Sequence, residues 1–427
     1  MGSETRLIVS ICLLGIICGL LLSLLSVYVY PRWHGKQTGR FYDCLSADER
    51  LKRCDGAKNM LGTGSPFAVL PRVEPKTPAE ISAGLQRSEA VLALNQARRQ
   101  TVKGNRERAL KLFNLALNAD PNSPDVLTEY GNFIEIHEQN VVKAQQMYTK
   151  ALVVRPDHVA AQESNVRAAP LVQELDRTMF ERIDWKKGEL RKIPVGDLGS
   201  ERTRLENYFL HVYHTVAIEG NTMTLSMTRS VLESGVVVPG KTLQEHNEVQ
   251  GISDALHFMN ESLLYKGRID LDDILLLHLY VFGRVQPNQA GHFRAGQVFV
   301  GNFKPPPPDA VPGYMRQFSE WLESSEARAL HPIARAAMEH YKLVWIHPFV
   351  DGNGRTARLL MNLRLMQNGY PPVIVKVEER HEYYEHLQTA NDGDVRPFVR
   401  FIGKLAERTV DEYISAAEYR LIPEVRP

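Results

Sequence analysis

Cysteine is scarce: four residues among 427, at positions 12, 18, 44 and 54, and none beyond. The long remainder of the chain therefore has no thiol nucleophile and no cysteine zinc site. Net charge is nearly absent too, at +1 with 51 basic against 50 acidic residues, so no global field marks nucleic acid as the partner. Long apolar runs are missing except at the start of the chain. The length and the 44% hydrophobic content suit two or three domains plus linkers.

The exception is Leu7–Tyr30 (LIVSICLLGIICGLLLSLLSVYVY), uncharged and apolar throughout. As a helix it would be about 36 Å long, enough to cross a bilayer. It exceeds a typical signal-peptide core and lacks a clear small-residue cleavage site, so it reads as a retained anchor after a short cytosolic tail, residues 1–6. Tyr28, Tyr30 and Trp33 suit the membrane interface. Arg32, Lys36 and Arg40 follow the span while Glu4 offsets Arg6 before it, which favours a cytosolic body. A glycosylation acceptor at Asn260 (Asn260-Glu261-Ser262) and a possible Cys44–Cys54 pair fit a lumenal body instead. The residues alone leave the orientation open.

Residues 31–86 read as a linker, irregular and rich in Gly, Pro and charge. Within 87–158, Ala109, Phe113, Ala116 and Pro121 recur as Ala144, Tyr148, Ala151 and Pro156, each offset by 35 residues. Small residues and an aromatic at these spacings, closed by proline, suggest two tetratricopeptide-like helix hairpins. Such a repeat usually runs to about 34 residues, and the extra one is expected in the Glu138-Gln139-Asn140 turn. The concave face of the pair would bind a target or simply pack as a spacer. A connecting helix to about Asp184 and a break over Lys186–Ser200 complete a linker segment, 159–200.

From 201 to 408 a mostly helical body is expected, and 409–427 as a loose tail. Gly291–Arg294 and Gln297–Gly301 look different, β-branched and aromatic between glycines, and predict a short hairpin. Lys304–Asp309 is a stiff polyproline connector, and Pro371–Val375 has strand character.

The chemistry centres on His347-Pro-Phe-Val-Asp-Gly-Asn-Gly-Arg-Thr-Ala-Arg358. A helix over Pro332–Ile346, with Ile333, Ala336, Ala337, Tyr341, Val344 and Trp345 as its stripe, should stop at His347-Pro348. Gly352-Asn353-Gly354 then turns tightly, and a second helix runs from Arg355 to about Asn368. Free amides at that helix start, preceded by a glycine turn, would attract an anion. Arg355 and Arg358, three apart on one face, add two forks for phosphate oxygens. Asp351 suits a divalent cation bridging phosphates. His347 is a titratable base at the rim.

This string resembles the Fic-domain signature, His-x-Phe-x-Asp/Glu-Gly-Asn-Gly-Arg-x-x-Arg, at every defined position. Thr215-Val-Ala-Ile-Glu219-Gly-Asn221 is similar to the inhibitory motif of autoinhibited Fic proteins, with Thr215 and Glu219 expected on one helical face. The order of anchor, repeats, inhibitory motif and signature resembles metazoan Fic-domain protein adenylyltransferases. The resemblance implies a mainly α fold: a Fic helical bundle with a short β-hairpin flap, after a two-repeat domain and a transmembrane helix.

It also implies AMP transfer from ATP to a Ser, Thr or Tyr hydroxyl, with His347 as base and Mg²⁺ or Mn²⁺ on Asp351. ATP is expected to contact Glu219, Val298, Phe299, Val300 and Gly301 of the flap. The loop Asp351, Gly352, Asn353, Gly354, Arg355, Thr356, Ala357 and Arg358 would hold its phosphates. Tyr383 and Tyr384 would stack on adenine and Asn391 would read its edge. Glu219 is expected to pair with Arg358 and obstruct the γ-phosphate, and also to help remove AMP. The implied target is the lumenal Hsp70 chaperone BiP, with a type II endoplasmic-reticulum membrane topology and a homodimer. Two alternatives are a Fic enzyme moving another phosphate-containing group, and a membrane-anchored repeat scaffold with a silent Fic domain.

Overall fold

The computed structural model describes residues 78–194 and 196–418, all within one compact unit, Pro75–Pro427. The expected anchor, most of the linker, Cys44, Cys54 and residues 419–427 lie outside the described residues. Among the described residues no helix is long and apolar enough to cross a membrane.

The N-terminal part is a run of helices: α1 (Pro78–Val102), α2 (Arg106–Ala119), α3 (Pro124–His137), α4 (Val141–Val154) and the long α5 (Val159–Leu190). The repeated residues Ala109, Phe113 and Ala116 on α2 and Ala144, Tyr148 and Ala151 on α4 are all buried. Small residues let the helices approach closely, while Phe113 packs on Tyr130 and Phe133 of α3. The Glu138-Gln139-Asn140 turn matches Lys103-Gly104-Asn105 in length, and Gln139 takes the left-handed conformation that Gly104 takes in the first. The expected break after Asp184 also shrinks, because α5 continues through Gly188 to Leu190.

The body comprises α6 (Leu198–Ala217), α7 (Leu225–Ser234), α8 (Leu243–Phe258) with a π turn at Met259–Leu263, and α9 (Leu271–Phe282). After the flap segment come α10 (Val311–Leu322), α11 (Ser325–Ala329), α12 (Pro332–Ile346), α13 (Asn353–Gln367), α14 (Arg380–Asn391) and α15 (Arg396–Glu418). α13 is the axis: every residue from Arg355 to Leu365 is buried. α12 packs beside it and is buried beyond its expected stripe, at Met338, Leu343 and Ile346 as well; Tyr341, Val344 and Trp345 are only half-buried.

Three expectations need correction. The flap is no hairpin of two strands but a tight turn closed by two bonds, Val300 N–H to Phe303 O and back, each 2.9 Å. The prolines at 305–308 have no N–H and cannot extend the pairing. Pro371–Val375 is not a strand either; Asn362 on α13 satisfies Val373, donating to its O at 2.9 Å and accepting from its N at 2.8 Å. Residues 409–418 are no loose tail but the end of α15, because Thr409, Val410 and Tyr413 carry on the buried stripe of Ile402, Leu405 and Ala406.

Candidate active site

His347 caps the end of α12 in the left-handed conformation, φ 50° and ψ 58°, rare for a residue with a side chain. Such a conformation persists only when its surroundings over-determine it. They do: Asn353 donates to Phe349 O at 2.9 Å and accepts from Phe349 N at 3.0 Å. Arg294 donates from Nε to His347 O at 2.7 Å and from its backbone N to Pro348 O at 2.9 Å. The His347 Nδ1 lies 3.2 Å from Val344 O. A carbonyl only accepts, so Nδ1 carries the proton and the Nε2 lone pair is available to a substrate. Burial, with help from the Arg294 charge, holds the imidazole below the usual histidine value and so neutral near pH 7.

Beyond the histidine, Gly352 is the left-handed N-cap of α13 at φ 77°. A Cβ there would also come within 3.1 Å of His278 Nε2, so only glycine fits. Because Thr356 N–H bonds Gly352 O, the amides of Asn353, Gly354 and Arg355 are the ones without intrahelical partners. Arg355 is buried, with Nε and Nη1 lacking any hydrogen-bond partner and one Nη2 contact, 3.1 Å, to Asp351. Buried guanidinium N–H groups without acceptors, beside free helix amides, suit phosphate oxygens. The Asp351 carboxylate is exposed, and among the described residues no three acidic, histidine or cysteine side chains gather. One open carboxylate beside a phosphate site is the donor set that Mg²⁺ commonly takes.

Arg358 is held from three sides. Its Nε donates to Thr215 Oγ1 at 2.8 Å and Nη1 to Tyr383 OH at 3.3 Å. Its Nη2 donates to Thr215 O at 2.9 Å and to Glu219 Oε1 at 2.7 Å. Glu219 sits just past the end of α6, two residues after Ala217, in a turn fastened to α8 by Asn221, which donates to Glu245 O and Glu248 Oε2. Its carboxylate stands over the start of α13, where a Cβ on Gly354 would meet it at 2.5 Å.

Other expected contacts are distributed differently. The Asn353 side chain is used up by Phe349, and Thr356 and Ala357 are buried in the core, so of these three only the Asn353 amide faces the anion site. Tyr383 does not present its ring: it is 1% exposed, and its hydroxyl sits 3.0 Å from His340 Nε2 behind Arg358. Tyr384, 36% exposed with Arg380 over its face, is the tyrosine available for stacking. Asn391 ends α14 half-buried. Phe299, Val300 and Gly301 are exposed on the flap turn, and Val298 is half-buried. Asn260 is exposed on the π turn.

Two residues with a place in the site were missed. His278 lies flat against Phe349, ring centroids 3.6 Å apart at 6°. Its Nδ1 accepts from Gly291 N at 2.9 Å, so Nε2 carries the proton that it donates to Asp351 O at 3.0 Å. A lone histidine among Ile274, Leu277 and Val281 on α9 was the available signal. Arg294 carried only the signal of a cation beside a predicted hairpin.

A helix–turn–helix that joins a basic imidazole, a phosphate-ready helix start and two buried arginines defines a nucleotide-handling site. The Fic/DOC family model matches residues 268–365, which include His347 and Arg358. "Protein adenylyltransferase Fic" of Nematostella vectensis is 47% identical over 329 residues, 77% of this chain and 77% of its own length. The protein of the same name in Culex quinquefasciatus is 42% identical over 402 residues, 93% of this chain and 79% of its own. Among solved structures, Fic-1 (residues 134–508) from C. elegans superposes with TM-score 0.72 at 43% identity, covering 78% of this chain and 99% of that one. The chain belongs to the Fic family, and its relatives are of the metazoan adenylyltransferase type.

Proposed function

We propose that this chain moves AMP from ATP to a Ser, Thr or Tyr hydroxyl of a target protein and that Glu219 restrains the transfer. The observation that carries this is the start of α13: free amides and the partnerless Arg355 N–H groups lie on one loop with a neutral His347 whose Nε2 is available. The names of the relatives support adenylyl transfer. His347 Nε2 takes the hydroxyl proton as the oxygen bonds to the α-phosphorus; the bond to the bridging oxygen breaks and pyrophosphate leaves. Arg355, Arg358 and the loop amides steady the departing charge. A divalent ion on Asp351 would supply further neutralisation of the phosphates.

Glu219 holds Arg358 and fills the space over Gly354, so a γ-phosphate there would lose a cation and meet a carboxylate. The same carboxylate is suited to orienting a water against an AMP ester, which supports removal of AMP as a second activity. BiP in the endoplasmic-reticulum lumen is the proposed target, with Leu7–Tyr30 as a type II anchor and Asn260 as a glycosylation site. The paired helices α1–α4 are proposed as tetratricopeptide units that dock the target. A second copy of the chain is the proposed partner for an exposed apolar strip, Leu276, Leu279 and Tyr280 on α9.

The test uses α-labelled ATP, Mg²⁺ and purified BiP with wild type, Glu219→Gly, and Glu219→Gly combined with His347→Ala. Label confined to Glu219→Gly is expected. Adding wild type to the labelled chaperone should then release AMP. No label in any lane, with ATP bound, would return the silent-scaffold reading.

A further inference from the structure

Arg294 is 3% exposed, yet among the described residues no carboxylate pairs with it. Burying a cation without an anion is costly unless several dipoles compensate. Here backbone carbonyls do so. Nε donates to His347 O at 2.7 Å, Nη1 to Gly296 O at 2.9 Å and Nη2 to Pro306 O at 2.5 Å. The three acceptors belong to the catalytic turn and to the two ends of the flap. Between those ends the flap is otherwise tied by the Val300–Phe303 pair, by Gln297 donating to Val298 O and Pro305 O, and by the Phe303 ring, 6.4 Å from that of Trp345 on α12.

We propose that Arg294 is a positioning residue that clamps the flap, at both of its ends, to the carbonyl of the catalytic histidine. A target segment lying along the flap would thereby be registered against His347 Nε2. This deepens the adenylyl-transfer reading and rests on it for the role of His347, while the clamp itself is testable without activity. A planar fork with donors in fixed directions reaches three carbonyls at once; an ammonium on a flexible stem does not. The clamp also puts a fixed positive charge beside the imidazole. The other groups facing His347 are Val344 O on its own helix, Glu219 from the turn after α6 and Asp351 from the loop; all three favour the protonated ring, whereas Arg294 opposes it.

The experiment compares wild type, Arg294→Lys and Arg294→Met in the full chain. Amide exchange is read at Val300 and Phe303, and the His347 ring is titrated by NMR. Both variants should raise exchange at the two amides about tenfold, the scale of one lost charge-assisted hydrogen bond, with exchange in α13 unchanged. Arg294→Met should also move the His347 midpoint upward, while Arg294→Lys, which keeps the charge, leaves it near wild type. Unchanged flap exchange in both variants, or an unmoved midpoint in Arg294→Met, overturns the proposal. So does a rise in exchange spread equally over α12 and α13, which would make Arg294 a fold stabiliser only. Should Arg294→Met not fold, Arg294→Lys decides through the exchange arm alone. Mg·ATP binding to Glu219→Gly is measured in parallel: its absence would sink adenylyl transfer and leave the clamp standing.

Discussion

Gly354 occupies the second position of α13, and a Cβ built there would stand 2.5 Å from Glu219 Oε1 and 3.1 Å from Arg358 Nη1. The glycine keeps open a volume that a carboxylate now fills and that a phosphate would need. Gly354→Ala therefore has an unusual expected phenotype. The methyl would displace Glu219, which is the free end of a flexible side chain, yet it would also intrude where the phosphate must lie. The variant should stay inactive, and combined with Glu219→Gly it should reduce labelling by about tenfold or more, a loss of roughly 1.4 kcal/mol of phosphate contact. Labelling by the single variant comparable to Glu219→Gly would show that the two groups do not compete for this space. His347 makes the complementary point about strain: its left-handed backbone is held by the Arg294 bond to its own carbonyl and by the two Asn353 bonds to Phe349, two residues further on.

At the scale of elements, the short turns decide how helices meet. Lys103-Gly104-Asn105 and Glu138-Gln139-Asn140 are equivalent, but the second puts Gln139 at φ 53° where the first has glycine. A side chain in that region costs roughly 1–2 kcal/mol. Gln139→Gly should recover part of it, about 0.5–1 kcal/mol after glycine's larger unfolded-state entropy, and raise the urea midpoint of the α1–α4 region. A lowered midpoint would mean that the Gln139 side chain contributes more than its backbone loses. The same scale shows what could be read from residues alone. His347–Arg358 announced a helix stop, a glycine turn and a helix start, and these are local properties of Pro348, Gly352 and Gly354. The assignments within that string were less legible. Whether Asn353 faces phosphate or Phe349, and whether Tyr383 faces adenine or Arg358, depends on which helices lie behind them. The flap and Pro371–Val375 failed as strands for a related reason: β propensity counts only where a partner strand supplies bonds, and Asn362 and the prolines foreclosed it.

Across the whole molecule, α5 carries the N-terminal helices onto the catalytic body through bidentate pairs to α15, Arg182 with Glu407 and Arg400 with Asp176. Glu407 is held at about 2 by its Arg182 bond, so that pair persists far into acid. The interior is more sensitive. His211 on α6 is buried and neutral, pushed down to about 4 chiefly by desolvation, with the Arg358 charge adding. His340 on α12 lies well below the usual value for the same two reasons, its Nε2 3.0 Å from the Tyr383 hydroxyl. In the unfolded chain both titrate near 6.5. Below that pH the unfolded state binds protons that the folded state refuses, so stability falls as pH falls. For His211 the loss is complete once pH passes below about 4 and amounts to roughly 3 kcal/mol. The urea midpoint should therefore drop steadily from pH 6.5 to about 5, above the range in which Glu407 and Glu245, both held at about 2, start to lose their own contribution. His211→Gln should flatten that slope, leaving the other histidines held below the usual value, His340, His278, His347, His214 and His386, to supply the rest. A midpoint that holds constant from pH 7 to 4.5 would mean that water reaches these imidazoles, and that the packing around Arg358 opens on the timescale of proton exchange.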